Sequence, residues 1–174
     1  MKLKRKTYHK IIGALILIAF AVLLGYVLNG NKSISVNTQG NADYFVNVLW
    51  VADGDSFTGQ TTDSLEVDFR IFGIDAPEKG QPYSNESRKL LVSLINKKKI
   101  GVVSEGYDRY GRRVVTVYDA NGKNIGAEMI RRGLAWHFVR YDSSPEYQQL
   151  ENDARARKIG FWADDAPVPP WLYR

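Results

Sequence analysis

Cysteine is absent from the 174-residue sequence. This absence excludes disulfide bonds, thiolate metal sites, thiol nucleophiles and lipid anchors attached through cysteine. Histidine is scarce as well, since only His9 and His137 occur. A zinc site with its usual nitrogen and sulfur ligands is therefore not expected, and any bound metal would need oxygen ligands.

Acidic residues are missing from residues 1–30, which contain five Lys and Arg. Of the 24 basic residues in the chain, 19 remain after this segment, and they balance the 19 Asp and Glu. Domains that bind nucleic acid through a broad basic face usually carry a net positive charge. The formal neutrality of the rest of the chain thus predicts that any phosphate recognition is local.

Residues 11–28 form a run of 18 residues without a charged side chain. A helix of this length would span about 27 Å, close to the ~30 Å hydrocarbon core of a bilayer. The run follows a basic flank and precedes no clear small-x-small cleavage pattern, so an uncleaved transmembrane anchor is favoured over a signal peptide. Four segments result: a basic cytoplasmic flank (1–10), an anchor or signal segment (11–28), a linker (29–43) and a domain (44–174).

Five short β segments and three helical segments are predicted within residues 44–174. The β segments are rich in Val, Ile, Phe and Tyr and are separated by Asp-Gly, Gly or Asn-Gly turns; they are 44–51, 56–60, 65–74, 100–105 and 113–119. Alternation of Leu65, Val67, Phe69 and Ile71 with polar residues predicts a half-buried strand. The predicted helices are 83–97, 124–133 and 145–158, the last with Ser144 as N-cap. This is an α+β pattern with enough strands for a small barrel.

The chain ends in a segment rich in proline and aromatic residues, 166–174. Proline-rich chain has little conformational entropy to lose when it docks. We interpret the segment as a strap on the domain, and the alternative is a ligand for the aromatic groove of another protein.

Three clusters carry the chemistry: Asp53-Gly54-Asp55, residues 70–78 and residues 108–113. Each alone is compatible with an ordinary turn or strand end. Together they supply what metal-assisted phosphodiester cleavage needs. Asp55 and Asp75 offer hard oxygen ligands, Arg70 and Arg112 offer bidentate donors for phosphate, and Glu78 offers a base for water.

The ordered motifs Asp-Gly-Asp, Arg-x-x-x-x-Asp-x-Pro-Glu and Tyr-Gly-Arg resemble those of the thermonuclease (staphylococcal nuclease-like) family. The resemblance extends over residues 44–162 and includes Gly133-Leu134-Ala135 and Gly160-Phe161-Trp162. It implies a five-stranded OB-fold β-barrel with three helices, here preceded by the N-terminal transmembrane or signal helix. It also implies Ca²⁺-dependent hydrolysis of DNA and RNA that leaves 3′-phosphates.

The family pattern also implies a role for each site residue. The catalytic residues are Arg70, Glu78 and Arg112, and the metal is bound by Asp55, Asp75 and the carbonyl of Ala76. Asp53 supports the metal ligands. Tyr110 and Tyr141 resemble aromatic residues beside the bound nucleotide, although residues 136–140 depart from the family pattern.

Strict strand alternation would place Arg70 and Asp75 on opposite faces of one strand, whereas the resemblance requires both in one pocket. Gly73 is the expected bulge or strand end that resets the alternation.

Two other interpretations remain open at this level. A non-catalytic OB-fold module would bind single-stranded nucleic acid or oligosaccharide in the same groove. A structural envelope protein would use these charges as surface ion pairs. The nuclease hypothesis predicts a monomer that acts on DNA and RNA outside the membrane, either anchored or, if the N-terminal segment is cleaved, secreted.

Membrane topology can be tested directly. The positive-inside bias predicts that residues 1–10 lie inside the cell and that the chain from residue 29 onward lies outside. Protease added to intact cells should then degrade the domain or release it. Protection of the domain until the membrane is permeabilised would show that this topology is wrong.

Overall fold

The computed structural model describes residues 42–174. The predicted flank (1–10), the anchor or signal segment (11–28) and nearly all of the linker (29–43) lie outside the described residues. Within residues 42–174, no helix is both long enough and apolar enough to cross a membrane.

Five strands form a closed barrel, as predicted. The seven strands of the structure are β1 (Tyr44–Val51), β2 (Ser56–Gln60), β3 (Glu66–Ile71), β4 (Ile74–Asp75), β5 (Lys99–Tyr107), β6 (Arg113–Tyr118) and β7 (Trp136–His137). The barrel order is β1-β2-β3-β6-β5, and β4 and β7 form a separate two-stranded sheet. Among the strands of residues 42–174, only β3 and β6 pair in parallel. This arrangement is consistent with an OB-fold.

The predicted strand 65–74 is divided in the structure. β3 ends at Ile71, and β4 begins at Ile74 after a turn in which Gly73 has a φ of 72°. Only glycine adopts this left-handed conformation without cost. A Cβ there would also lie 3.0 Å from the side chains of Asp142 and Tyr147. The strand end expected at Gly73 is confirmed.

The barrel core is filled by aliphatic residues and a stacked pair, Phe57 and Phe69, whose ring centroids are 5.0 Å apart. Phe69 and Ile71 point into this core as predicted. The prediction for Leu65 is wrong, because its side chain is 55% exposed. Leu65 precedes β3 and lies beside a turn closed by the backbone of Thr61, so it does not share the inward face of the strand.

Three helices cover the barrel, and each is slightly shorter than predicted: α1 (Ser84–Ile95), α2 (Ile125–Arg131) and α3 (Pro145–Ala156). Ser144 is the N-cap of α3, since its side chain accepts a hydrogen bond from the Tyr147 N–H at 3.3 Å. Asn124 caps α2 in the same way. These caps satisfy backbone donors that no helical carbonyl can reach.

A second apolar cluster lies outside the barrel and contains Trp136, Ala154, Phe161 and Trp162. The residues around it form a 3₁₀ helix (Gly160–Ala163) and a short helix α4 (Pro170–Tyr173). Helix α4 was not predicted. The C-terminal segment nevertheless packs against the domain, which confirms its interpretation as a strap.

Gly133 and Gly160 join α2 to the 3₁₀ helix by direct backbone contact. A Cβ on Gly133 would lie 2.1 Å from the Ile159 carbonyl oxygen, and one on Gly160 would lie 2.1 Å from the Gly133 carbonyl oxygen. Both glycines also have a positive φ, 58° and 62°. The contact therefore excludes every larger residue at either position.

Replacing Gly133 by alanine should destabilise the domain sharply. A strained φ alone costs an alanine about 1–2 kcal/mol, and the clash with Ile159 adds to it, so we expect Gly133→Ala to lower the free energy of unfolding by about 3 kcal/mol or more. Gly111→Ala is the matched control, because Gly111 also has a positive φ of 83° but no atom lies within 4 Å of the added Cβ. Urea unfolding followed by circular dichroism compares the two. Equal losses of unfolding free energy in the two variants would show that the backbone contact is not the reason that position 133 requires glycine.

Candidate active site

Strand register brings Asp55 beside Arg70. Ser56 pairs with Arg70 across β2 and β3, and the Asp55 carbonyl accepts a hydrogen bond from the Ile71 N–H at 2.8 Å. Because Gly54 has no side chain, the loop that contains it can pack directly against α1. A Cβ at this position would lie 1.9 Å from the Ser87 Oγ. The Asp-Gly-Asp motif is thus held at the open end of β2.

The turn at Gly73 brings Asp75 to the same place. The Arg70 Nη2 donates to the Ile74 carbonyl at 3.1 Å and to the Asp75 Oδ1 at 2.7 Å. The Arg70 Nη1 forms an ion pair with the Asp55 Oδ1. One guanidinium therefore bridges the two carboxylates that were predicted as metal ligands.

Asp55 and Asp75 are almost completely buried, with side chains 3% and 0% exposed. The Asp55 Oδ1 accepts from the Ser56 hydroxyl at 2.9 Å, and its Oδ2 accepts from the Ala76 N–H at 2.6 Å. Among residues 42–174, no donor reaches the Asp75 Oδ2. A buried carboxylate oxygen is costly to leave unpaired, so a bound cation at this atom would be stabilising.

Arg112 is held next to this pair by the turn that precedes β6. Its Nε donates to the Asp108 Oδ2 at 2.7 Å and its backbone N–H to the Asp108 Oδ1 at 3.0 Å. Its Nη1 donates to the Ser56 hydroxyl at 3.1 Å, and that hydroxyl donates in turn to Asp55. Ser56 and Asp108 were not singled out in the sequence, although Asp108 opens the Tyr-Gly-Arg cluster.

Glu78 lies at the outer edge of the site, and its side chain is 39% exposed. Its Oε1 accepts from the Nε of Arg174 at 2.5 Å. The Nη2 of Arg174 also lies 2.5 Å from the Asp75 Oδ1. Arg174 thus joins Glu78 to Asp75, a contact across 99 residues of sequence that no local motif signals.

The remaining predicted residues differ in how closely they approach this centre. The Asp53 Oδ1 accepts from the Asp55 N–H at 3.0 Å, so Asp53 supports Asp55 through the backbone. The Tyr110 ring is 68% exposed and lies under the Arg112 guanidinium, 5.6 Å from it. Tyr141, 63% exposed, packs edge-on against Phe138 and contacts neither carboxylate.

The raised pKa values of the site carboxyl groups arise first from burial and then from the charge of a neighbouring carboxylate. Burial, and then the charge of Asp55, raise the pKa of Asp53 to about 7. Burial and Asp55 also raise the pKa of Asp75, against the opposing effect of Arg70. Burial would lower the pKa of Arg70, but Asp55 and Asp75 outweigh it and raise that pKa, so Arg70 stays charged. A divalent cation that took the place of Arg174 at this centre would be electrostatically favourable.

The donor set fits a hard cation better than a transition metal. Within residues 42–174, no group of three or more His, Cys, Asp and Glu side chains is placed to hold a metal ion. Asp55 and Asp75 provide two carboxylates, and Ca²⁺ and Mg²⁺ commonly complete their coordination with backbone carbonyls, water and substrate oxygens. The unpaired Asp75 Oδ2 and the adjacent Ala76 suit this kind of site.

Comparison with known proteins places the chain in a family. The family model described as staphylococcal nuclease homologue matches residues 68–164. The chain is 40% identical over 134 residues to a protein of Escherichia coli O157:H7 named as an uncharacterized endonuclease, which covers 76% of this chain and 86% of that protein. It is 37% identical over 127 residues to a protein of the same name from Haemophilus influenzae, covering 73% and 71%.

A plant protein shows the same similarity over a smaller share of its length. The chain is 38% identical over 119 residues to a staphylococcal-like nuclease of Arabidopsis thaliana, which covers 68% of this chain and 36% of the plant protein. The family match includes Arg70, Asp75, Glu78 and Arg112, the charged residues that the structure gathers at one end of the barrel. The chain belongs to the staphylococcal nuclease homologue family.

Proposed function

We propose that this protein is a Ca²⁺-dependent nuclease that hydrolyses phosphodiester bonds of DNA and RNA and leaves 3′-phosphates. The observation that carries the proposal is that Arg70 pairs with two buried carboxylates, one of which keeps an oxygen without a partner, while Ser56 and Asp108 hold the Arg112 guanidinium beside them. The names of the relatives, endonuclease and staphylococcal-like nuclease, support it.

The arginines match the charge that develops during phosphodiester cleavage. As water adds to phosphorus, negative charge grows on the equatorial oxygens and on the leaving oxygen. Arg112 is oriented by Asp108 and Ser56, so its donors need little rearrangement to meet this charge. Arg70 is fixed more tightly by its ion pairs with Asp55 and Asp75. Its positive charge would stabilise the phosphate from a more buried position.

Glu78 is the best-placed base because, unlike Asp55 and Asp75, it has a side chain open to water. It would take a proton from the attacking water as the new P–O bond forms and the bond to the 5′-oxygen breaks, and the departing 5′-oxygen would take a proton from a solvent water to become a hydroxyl. The phosphate then stays on the 3′ side of the cut. A Ca²⁺ ion held by Asp55, Asp75 and the Ala76 carbonyl would supply polarisation of the phosphate and a bound water.

Tyr110 is proposed to contact the nucleotide. Its exposed ring adjoins Arg112, and an aromatic face beside a phosphate-binding arginine suits a base or sugar of the substrate. Tyr141 lies farther along the surface next to Phe138, and its contact with substrate would involve a neighbouring nucleotide.

We further propose that the domain acts outside the cell as a monomer. The support is the sequence of residues 1–28, a basic flank followed by an uncharged apolar run. The segment would anchor the protein in the membrane, or direct its secretion if it is cleaved. Extracellular or incoming nucleic acid would then be the substrate.

The division of labour among the charged residues can be measured on one DNA substrate with saturating Ca²⁺. Arg112→Ala should lower kcat by about 10² to 10³, as expected for loss of one donor to the transition state. Arg112→Lys should not restore it, because a single ammonium cannot form two parallel hydrogen bonds. Glu78→Gln should lower kcat by about 10² or more with little change in KM.

Arg113→Ala is the matched control for Arg112→Ala. Arg113 lies 3.5 Å from the Tyr44 hydroxyl on β1 and packs over that ring, so it points away from the carboxylates. Its loss should reduce kcat by less than about tenfold. If the control is as damaging as Arg112→Ala, or if Glu78→Gln retains wild-type turnover, the assigned roles are wrong.

Removal of metal provides a separate test. Chelation of Ca²⁺ should abolish cleavage while circular dichroism stays nearly unchanged, because Arg70 still neutralises the buried carboxylates in the free protein. Adding Ca²⁺ back should restore activity. Full activity in excess chelator would rule out the metal-dependent mechanism, and nucleic-acid binding without cleavage at any Ca²⁺ concentration would favour a non-catalytic OB-fold module.

A further inference from the structure

The C-terminal strap, residues 166–174, and Asp164 just before it are attached to the α1 side of the site at two polar points. The Tyr83 hydroxyl donates to the Asp164 Oδ1 at 3.0 Å. The Gln81 Nε2 donates to the Val168 carbonyl at 2.5 Å, and the Gln81 side chain also accepts from the Glu78 N–H at 2.9 Å. Gln81 therefore couples the position of the strap to the loop that carries the proposed base.

An aromatic contact fixes the far end of the strap. The Trp171 ring in α4 stacks on Phe138, with centroids 5.4 Å apart and planes within 5°. Its edge meets Trp136 at 5.6 Å. Trp136 pairs with Asp75 across the β4-β7 sheet. The strap is thus docked on the strand next to a proposed metal ligand.

This docking places the Arg174 side chain beside the carboxylates of Glu78 and Asp75. Its Nε binds the Glu78 Oε1 and its Nη2 binds the Asp75 Oδ1, each at 2.5 Å. The same Asp75 oxygen already accepts from Arg70. Arg174 is 44% exposed, whereas Arg70 is only 16% exposed, so water screens the ion pairs of Arg174 more strongly and their loss costs less.

The orientation of Arg174 suits blocking better than catalysis. An arginine that served the reaction would direct its donors toward the phosphate, but both contacting nitrogens of Arg174 face protein carboxylates. In this position, Arg174 donates a hydrogen bond to one carboxylate oxygen of Glu78, the proposed base. It also places positive charge on Asp75, where a divalent cation would be repelled.

We propose that the strap is an inhibitory latch in which Arg174 and the divalent cation compete for Asp75, so that cation binding releases the strap and frees Glu78. The inference rests on the proposed metal-dependent function. The protein binds the cation only in the released state, so its apparent Kd equals the intrinsic Kd divided by the released fraction. Partly exposed ion pairs are individually weak, so we expect the latch to raise the Kd for Ca²⁺ by about 3- to 10-fold.

The test measures Ca²⁺ binding to the full chain by isothermal titration calorimetry. Arg174→Ala should tighten the Kd by about 3- to 10-fold. Trp171→Ala should act in the same direction, because it removes the aromatic anchor and leaves Arg174 itself in place. Leu172→Ala is the matched control in the same helix, since Leu172 is 71% exposed, and its Kd should stay within about twofold of wild type.

Hydrogen exchange of residues 166–174 gives a readout that is independent of activity. In the wild-type protein, Ca²⁺ should accelerate amide exchange in the strap. In Arg174→Ala, exchange there should be fast before Ca²⁺ is added. These two results, together with the tightened Kd of both Arg174→Ala and Trp171→Ala, would support the latch.

Contrary results separate the latch from the function on which it rests. Equal Ca²⁺ affinity in wild type and Arg174→Ala, with strap exchange unaffected by Ca²⁺, would overturn the latch and leave the metal site intact. A tighter Kd in Arg174→Ala but not in Trp171→Ala, without faster strap exchange, would also overturn it, since Arg174 would then act as a fixed charge. Absence of Ca²⁺ binding in every variant would remove the metal site and the latch together.

Discussion

The ion pairs of Arg70 with Asp55 and Asp75 are the interaction on which the site and its surroundings depend. Two buried carboxylates a few ångströms apart would repel each other, and the guanidinium between them offsets that repulsion while it ties the Asp-Gly-Asp loop to β3 and β4. Removing one partner of such a buried group typically costs about 3–5 kcal/mol, because the remaining charge stays buried. The same residues therefore hold the end of the barrel together and create its charge pattern.

A chain of hydrogen bonds extends this fixed arrangement from Asp55 toward the surface. Ser56 links Asp55 to Arg112, and Asp108 fixes the other side of the Arg112 guanidinium. The Ala76 N–H holds the second oxygen of Asp55. Donors and acceptors are thus oriented before substrate arrives, which is the condition under which electrostatic catalysis is effective.

The solvent exposure of the arginine side chains increases from the centre of the site to its rim. The more exposed arginine is also held by fewer and weaker contacts. Arg70 is 16% exposed and has three partners, whereas Arg174 is 44% exposed and belongs to a strap held by two hydrogen bonds and one aromatic stack. A deeply buried charge is constrained by its desolvation cost, while an exposed one exchanges partners readily. The proposed latch uses this difference, because the outer arginine can leave while Arg70 still neutralises the buried carboxylates.

Local patterns in the sequence determined the five barrel strands and the three covering helices, because alternation, capping residues and turn glycines act over a few positions. The grouping of Asp55, Arg70, Asp75 and Arg112 was expected only from the family resemblance, since strand alternation alone would separate Arg70 from Asp75. Leu65 shows the limit of this reasoning, since the alternating pattern in the sequence begins one residue before the strand itself does. Only the tertiary structure decided the environment of Glu78 and the place of Arg174. Those two residues are 96 positions apart, and they meet because Trp171 finds a stacking partner in Phe138, a contact set by the shape of the folded surface and not by any local pattern.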